Sequence, residues 1–95
     1  MLTGKQKSYL RSLAQTERPL FQIGKDSITE NLINTVDAAL RKRELVKVSV
    51  LKNAPDDIKE AAFELARLTG SELVQVIGRN IVLYRRSREH RIILP

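Results

Sequence analysis

Between Leu20 and Ile77 the chain repeats one pattern: a short apolar run, a helix-spaced apolar stripe, then another apolar run. Leu20 to Ile23 reads as a strand. From Ile28 the apolar residues Leu32, Ile33, Val36, Ala39 and Leu40 fall on one helical stripe. Leu45 to Leu51 follows, with Val46, Val48 and Val50 on one side and Lys47 and Ser49 on the other, the alternation of a half-buried strand. A third helix carries Ile58, Ala61, Ala62, Leu65 and Ala66, with Pro55 expected at its first position and Gly70 at its end. Leu73 to Ile77 is the third strand. Two successive strand–helix–strand units close by right-handed crossovers, which makes strands 1, 2 and 3 run in one direction.

The remaining elements are local. Thr3-Gly4-Lys5-Gln6 reads as a capping box opening a first helix that presents Leu10, Leu13 and Ala14 on one face. Arg18-Pro19 ends that segment, since a residue before proline avoids helical backbone. Ile81 to Tyr84 follows Gly78-Arg79-Asn80 and forms an antiparallel hairpin with the third strand. The order is α-β-α-β-α-β-β, an α+β two-layer fold with a mixed sheet if helices 2 and 3 share one face. Both hairpin runs are apolar at successive positions, so helix 1, the tail or a partner is expected to cover the second face. The tail ends in Ile92-Ile93-Leu94, read as a last strand or a docked segment. With 95 residues the expected organisation is a single domain spanning 1–95, with a basic tail over 86–95.

Charge is unevenly placed. Of the formal net charge of +6, residues 1–52 carry a net +5, residues 53–78 a net −3 and residues 79–95 a net +4. Such asymmetry points to a polyanion-facing surface on one part of the fold. If strands 1 to 3 run in one direction, Lys25, Lys52 and Arg79, which follow their ends, gather at one edge. Arg18, Arg41, Lys42, Arg43, Arg85 and Arg86 then lie along the opposite edge. The absence of cysteine excludes disulfides and thiolate metal sites. No run approaches a membrane span, so a cytoplasmic protein is expected.

The chain is poorly supplied for catalysis. His90 is the only histidine and sits in a charged tail without an acid–base partner. No serine has an elbow motif, no carboxylates show metal-ligand spacing, and Gly24-Lys25-Asp26-Ser27 lacks the Gly-Lys-Ser/Thr ending of a Walker loop. Asp56, Asp57 and Glu60 are accounted for by the positive end of helix 3. A loop leaving a strand and entering a helix does aim backbone N–H groups at an anion. Thr29 is the preferred N-cap of helix 2, with Ile28 and Ile33 as a hydrophobic staple, while Ser27 and Glu30 offer a competing capping box. Four aromatics are too few for a sheet that stacks several bases.

Four segments in order, "LTGKQKSYLRSLA", "IGKDSITENLI", "ELVKVSVL" and "TGSELVQVIGRNIVLYR", resemble the CRM domain in its stand-alone bacterial YhbY/YqeI form. The resemblance implies a fold like the C-terminal domain of translation initiation factor three, with sheet order 1-2-4-3. It also implies RNA binding and association with precursors of the large ribosomal subunit. The Gly-x-x-Gly loop of that family, compared with the backbone clamp of KH domains, maps onto Gly24, Lys25, Asp26 and Ser27, with serine in place of the last glycine. Its basic helix 1 residues correspond to Lys5, Lys7 and Arg11. The expected protein is thus a monomeric, non-enzymatic RNA-binding protein without cofactor, metal, membrane or small-molecule partner. Its surface would comprise these residues together with Lys52, Arg79 and the Arg41-Lys42-Arg43 cluster. The rival is a protein–protein module using the second sheet face or the tail.

Overall fold

In a computed structural model, which describes residues 2–95, the elements are α1 (Gly4–Ala14), β1 (Phe21–Ile23), α2 (Glu30–Arg43), β2 (Leu45–Val50), α3 (Ile58–Thr69), β3 (Glu72–Ile77) and β4 (Asn80–Tyr84). The four strands form one sheet in the order β1-β2-β4-β3. β1 lies parallel to β2, and β4 is antiparallel to both β2 and β3. The C-terminal ends of β1, β2 and β3 therefore share one edge. The interior position of β4 accounts for its apolar run, because both its faces are covered and Ile81 through Tyr84 are all buried.

Helices α2 and α3 pack on one face of the sheet. Ile23, Val36, Leu40, Val48, Leu65 and Leu83 are each 0% exposed in this core. Burying each such side chain contributes about 1.5–3 kcal/mol. Val46, Val48 and Val50 all point here, as their alternation with Lys47 and Ser49 requires. The reverse face carries a smaller cluster in which Leu10 and Ala14 of α1 meet Leu45, Val74, Val82 and Tyr84, with Ile92 and Leu94 laid against them. Helix 1 and the tail thus share the second face between them. The tail forms a docked segment and not a fifth strand.

Local chemistry sets the helix ends. The Thr3–Gln6 capping box forms in both directions, at 3.1 and 3.0 Å. Thr29 caps α2, its hydroxyl accepting from Leu32 N at 3.0 Å, and Ile28 and Ile33 both pack against the main core. Ser27 forms no capping box, because its hydroxyl is turned to Asp56. Pro55 does not open α3: the helix begins at Ile58 with Asp57 as N-cap, accepting from Glu60 N at 3.3 Å. Asp57 offers a side-chain acceptor to an orphan N–H of the first turn, which Ala54, the cap that a start at Pro55 would require, cannot. The hairpin loop is two residues, not three, since Asn80 pairs with Ile77. Gly78 at φ 57 supplies the positive dihedral that the first position of a tight type II′ loop demands.

One residue that sequence patterning did not single out organises the end of the fold. Glu44 follows α2 where a glycine is customary, in left-handed backbone at φ 67 and with no solvent exposure. Its carboxylate accepts from Ser87 N at 2.7 Å, Ser87 Oγ at 2.8 Å and Ile92 N at 2.6 Å. These bonds fix the tail across the sheet edge. Burial opposes ionisation of Glu44, but the backbone bonds from Ser87 and Ile92, the Ser87 hydroxyl and nearby His90 outweigh it, and the net pKa is lowered.

Arg85 provides a second tie. It donates to Asp37 Oδ1 at 2.6 Å, to Asp37 O at 3.0 Å and to Thr69 O at 2.5 Å, joining α2 and the end of α3 to β4. The Arg85 hydrogen bond holds the Asp37 carboxyl below its ordinary value; partial burial acts against this, and the charges of Arg85 and Arg41 add to it. A depressed folded pKa contributes stability that is complete above the unfolded value, near 4, and is lost as pH falls through the folded one. Urea midpoints of the wild type should therefore fall between about pH 5 and pH 3. Asp37→Asn should be less stable at neutral pH and show a shallower acid slope; an unchanged slope would rule out this assignment.

Candidate nucleic-acid interface

Gly24, Lys25, Asp26 and Ser27 form a tight turn closed by Ser27 N donating to Gly24 O at 3.0 Å. It leaves β1 and delivers the chain to the Thr29 cap. Ser27 adopts φ 61, the left-handed region where glycine is the unstrained residue. The serine is held there by its hydroxyl, which bonds Asp56 Oδ2 at 2.5 Å. That bond offsets a backbone cost on the order of 1 kcal/mol. The turn is thus stabilised from outside by Asp56, while Asp26 within it is exposed.

The neighbouring loop completes the site. A Cβ at Gly24 would lie 3.7 Å from Leu51 Cδ1 and 4.0 Å from Asn53 Oδ1, so the turn is in contact range of the β2–α3 loop. Gln22, Gly24, Lys25, Ser27, Thr29 and Asn53 are among the residues lining a shallow cleft there, of about 480 Å³. Lys25 and Lys52 are both exposed at this edge. Arg79 reaches it from the hairpin: its Nε donates to Val50 O and a terminal nitrogen to Leu51 O, each at 2.7 Å. The three elements bearing Lys25, Lys52 and Arg79 therefore meet. Arg79 also has a structural task, because its guanidinium caps the end of β2.

The edge is basic on one side only. Next to the turn, Asp56, Glu60 and Glu64 line an adjoining cleft with Ser27 and Ile28. A polyanion engaging the turn is therefore steered away from α3, toward Lys52, Arg79 and α1. Arg11 sits beside the hairpin, in a cleft that also includes Gly78 and Asn80. Lys7 is one helical turn before Arg11 on the same flank, and Lys5 is exposed nearer the start of α1.

The Arg41-Lys42-Arg43 cluster lies elsewhere. It occupies the last turn of α2, whose 14 residues set it about 20 Å from the Gly24–Ser27 turn. Arg41 shares a cleft with Arg85, Arg86 and Arg88 and pairs with Asp37 at 2.9 Å. The molecule thus carries two basic regions at opposite edges of the sheet. Among the described residues no group of His, Asp and Glu could hold a metal ion, and no helix is long and apolar enough to cross a membrane.

Asp56 yields a direct prediction. Apart from Asp26 in the turn itself, its carboxylate is the negative charge bonded directly to the turn, and Asp56→Asn keeps a hydrogen-bond acceptor for Ser27 while removing that charge. If the turn receives phosphate, this variant should bind RNA several-fold more tightly, since an unfavourable charge near a surface site is worth up to about 1 kcal/mol. Filter-binding or fluorescence anisotropy would read it; weaker binding by a folded Asp56→Asn protein would argue against phosphate at the turn.

Taken together, the chain is a small α+β domain whose mixed sheet presents a tight backbone turn within a one-sided basic edge. Comparison with known proteins places it further. The description of the CRS1/YhbY (CRM) domain matches residues 2–85. The chain is 48% identical over 91 residues to a Bacillus subtilis protein named "Probable RNA-binding protein YqeI", covering 96% of this chain and 95% of that one. It is 37% identical over 95 residues to a Haemophilus influenzae protein named "RNA-binding protein", covering 99% and 95%. The solution structure of SAV1595 from Staphylococcus aureus superposes with a TM-score of 0.85 at 59% identity, covering the whole of both chains. The chain belongs to the CRS1/YhbY (CRM) domain family.

Proposed function

We propose that this protein binds RNA without acting on it as an enzyme, and that its target is ribosomal RNA in precursors of the large subunit. The observation that carries the reading is the meeting of the Gly24–Ser27 turn with Lys25, Lys52 and Arg79 at one edge, bordered by acid on the α3 side. Backbone N–H groups at a helix entry and flanking cations match a phosphodiester chain. Membership of the CRM family and the names of the Bacillus and Haemophilus relatives support RNA as the ligand class. Gly24, Lys25, Asp26 and Ser27 would track the RNA backbone, Lys5, Lys7 and Arg11 would extend the contact along α1, and Arg41, Lys42 and Arg43 would reach a more distant segment. The protein would work as a monomer in the cytoplasm and need no cofactor.

Ultraviolet crosslinking in cells, followed by sequencing of the bound RNA, tests the target. Enrichment of one region of large-subunit ribosomal RNA is the expected result. Enrichment of unrelated transcripts, with ribosomal RNA at background, would overturn the ribosomal assignment while leaving RNA binding in place.

A further inference from the structure

Helix α1 and the tail cover the reverse face of the sheet without filling it. Its apolar half, with Leu45, Val74 and Tyr84, lies under α1 and the tail. The other half, toward the β3–β4 hairpin, holds a cleft of about 690 Å³ between α1 and the sheet. Its polar walls are Arg11 and Gln15 from α1, Lys47 from β2, Gln75 from β3 and Asn80 from β4.

Gln75 is there because β3 is irregular. In an unbroken strand, Leu73 and Gln75 would share a face, and Val74 would take the other. The pairing with β4 instead jumps from Leu73↔Leu83 to Gln75↔Val82, leaving Val74 without a partner. Leu73 and Val76 pack against the main core, whereas Val74 joins the reverse cluster and Gln75 and Ile77 line the cleft. The bulge thus takes an amide that regular pairing would send into the main core and turns it into the cleft. Bulges of this kind commonly re-aim a side chain at a binding site.

The groups in the cleft are available. Arg11, Gln75 and Asn80 are each half-buried, and their side chains have no hydrogen-bond or ion-pair partner among the described residues. Lys47 is committed, donating to Ala14 O at 3.2 Å and Glu17 O at 3.4 Å, which pins the end of α1 above the cleft. The cleft also opens on the edge already described. Gly78 and Asn80 line it, while Arg79 between them reaches the end of β2. Three inter-strand spacings, about 14 Å, separate the end of β1 from that of β3. A short run of single strand would connect the turn to the cleft.

We infer that this cleft takes an unpaired RNA nucleotide, with Arg11 on its phosphate or base plane and the Gln75 and Asn80 amides on its base edge. The inference rests on the RNA-binding reading above and adds to it a base-contacting subsite. Carboxamides offer a donor and an acceptor side by side, the pattern that base edges present, and a guanidinium both pairs with phosphate and stacks on bases.

The test compares a short mixed-sequence RNA oligonucleotide with an abasic ribose-phosphate oligomer of the same length and charge. Wild type should bind the base-bearing oligomer about tenfold more tightly, the equivalent of one well-placed base contact. Gln75→Ala/Asn80→Ala, which changes no charge, should bind both equally with an unaltered salt slope. Ser8→Trp, at an exposed helix position, fills the cleft while leaving every sheet residue unchanged; it should do the same and guards against a folding defect. Equal binding of both oligomers by wild type, or a preference that survives in folded variants, would overturn the cleft and leave RNA binding intact. So would loss of a protein partner, with RNA binding unchanged, in the Ser8→Trp protein. Failure of wild type to bind either oligomer would overturn both readings.

Discussion

Replacing Glu44 with alanine should destabilise the protein by about 2–4 kcal/mol, because removing a buried carboxylate that accepts three hydrogen bonds leaves two half-buried backbone donors and a hydroxyl without a partner. Undocking of the tail limits the loss, since the freed donors then reach water while Ile92 and Leu94 leave the reverse cluster. Either route lowers the melting temperature by roughly 10–20 °C for a domain of this size. Two companion substitutions separate the causes. Glu44→Gln keeps an acceptor oxygen and should retain part of the clamp. Glu44→Gly loses the clamp but suits φ 67, so it should be about 1 kcal/mol more stable than Glu44→Ala. Urea melts give all three values; an alanine variant as stable as wild type would mean that the tail contributes nothing to the fold.

The second large effect concerns binding. Exchanging Lys25, Lys52 and Arg11 together for glutamine should reduce RNA affinity by about 10²-fold near 100 mM salt and lower the slope of log affinity against log salt by about 2. Arg79 is left in place because its guanidinium holds the backbone of Val50 and Leu51, and its removal would disturb the edge as well as discharge it. Removing the same number of charges at Lys59, Arg67 and Arg91 should cost only a few-fold, since long-range attraction between exposed charges is screened within about 10 Å. Equal losses in the two triple variants would show that net charge, and not the turn-bearing edge, carries the affinity.

The features legible in the sequence are those governed by periodicity or by a few adjacent residues. Alternation in Leu45–Leu51 and the helical stripe from Ile28 specify β1–α2–β2 because burial on one face enforces them. The Thr3 and Thr29 caps follow from side chains bonding amides three residues on. The gathering of the Lys25, Lys52 and Arg79 elements follows from strand direction alone, and the sheet order came with the family resemblance. What could not be read depends on groups distant in the chain. Ser27 is in left-handed backbone because Asp56, 29 residues later, accepts its hydroxyl, and that same use of the loop moves the start of α3 from Pro55 to Ile58. Glu44 reveals its role only once Ser87 and Ile92 come back to it, although the lack of a glycine between Arg43 and Leu45 is a signal that residue 44 has a special task. The bulge at Val74 leaves one mark only, the polar Gln75 at a position that regular alternation from Leu73 would bury, while the apolar residues on either side of it satisfy both registers.

The central claim, that a basic edge built on the Gly24–Ser27 turn receives an RNA backbone, is tested most directly by the affinity of the wild-type protein for RNA as a function of salt. With about six phosphates engaged, affinity should fall by about 10³ between 50 and 200 mM salt. An affinity that barely changes over that range would contradict it.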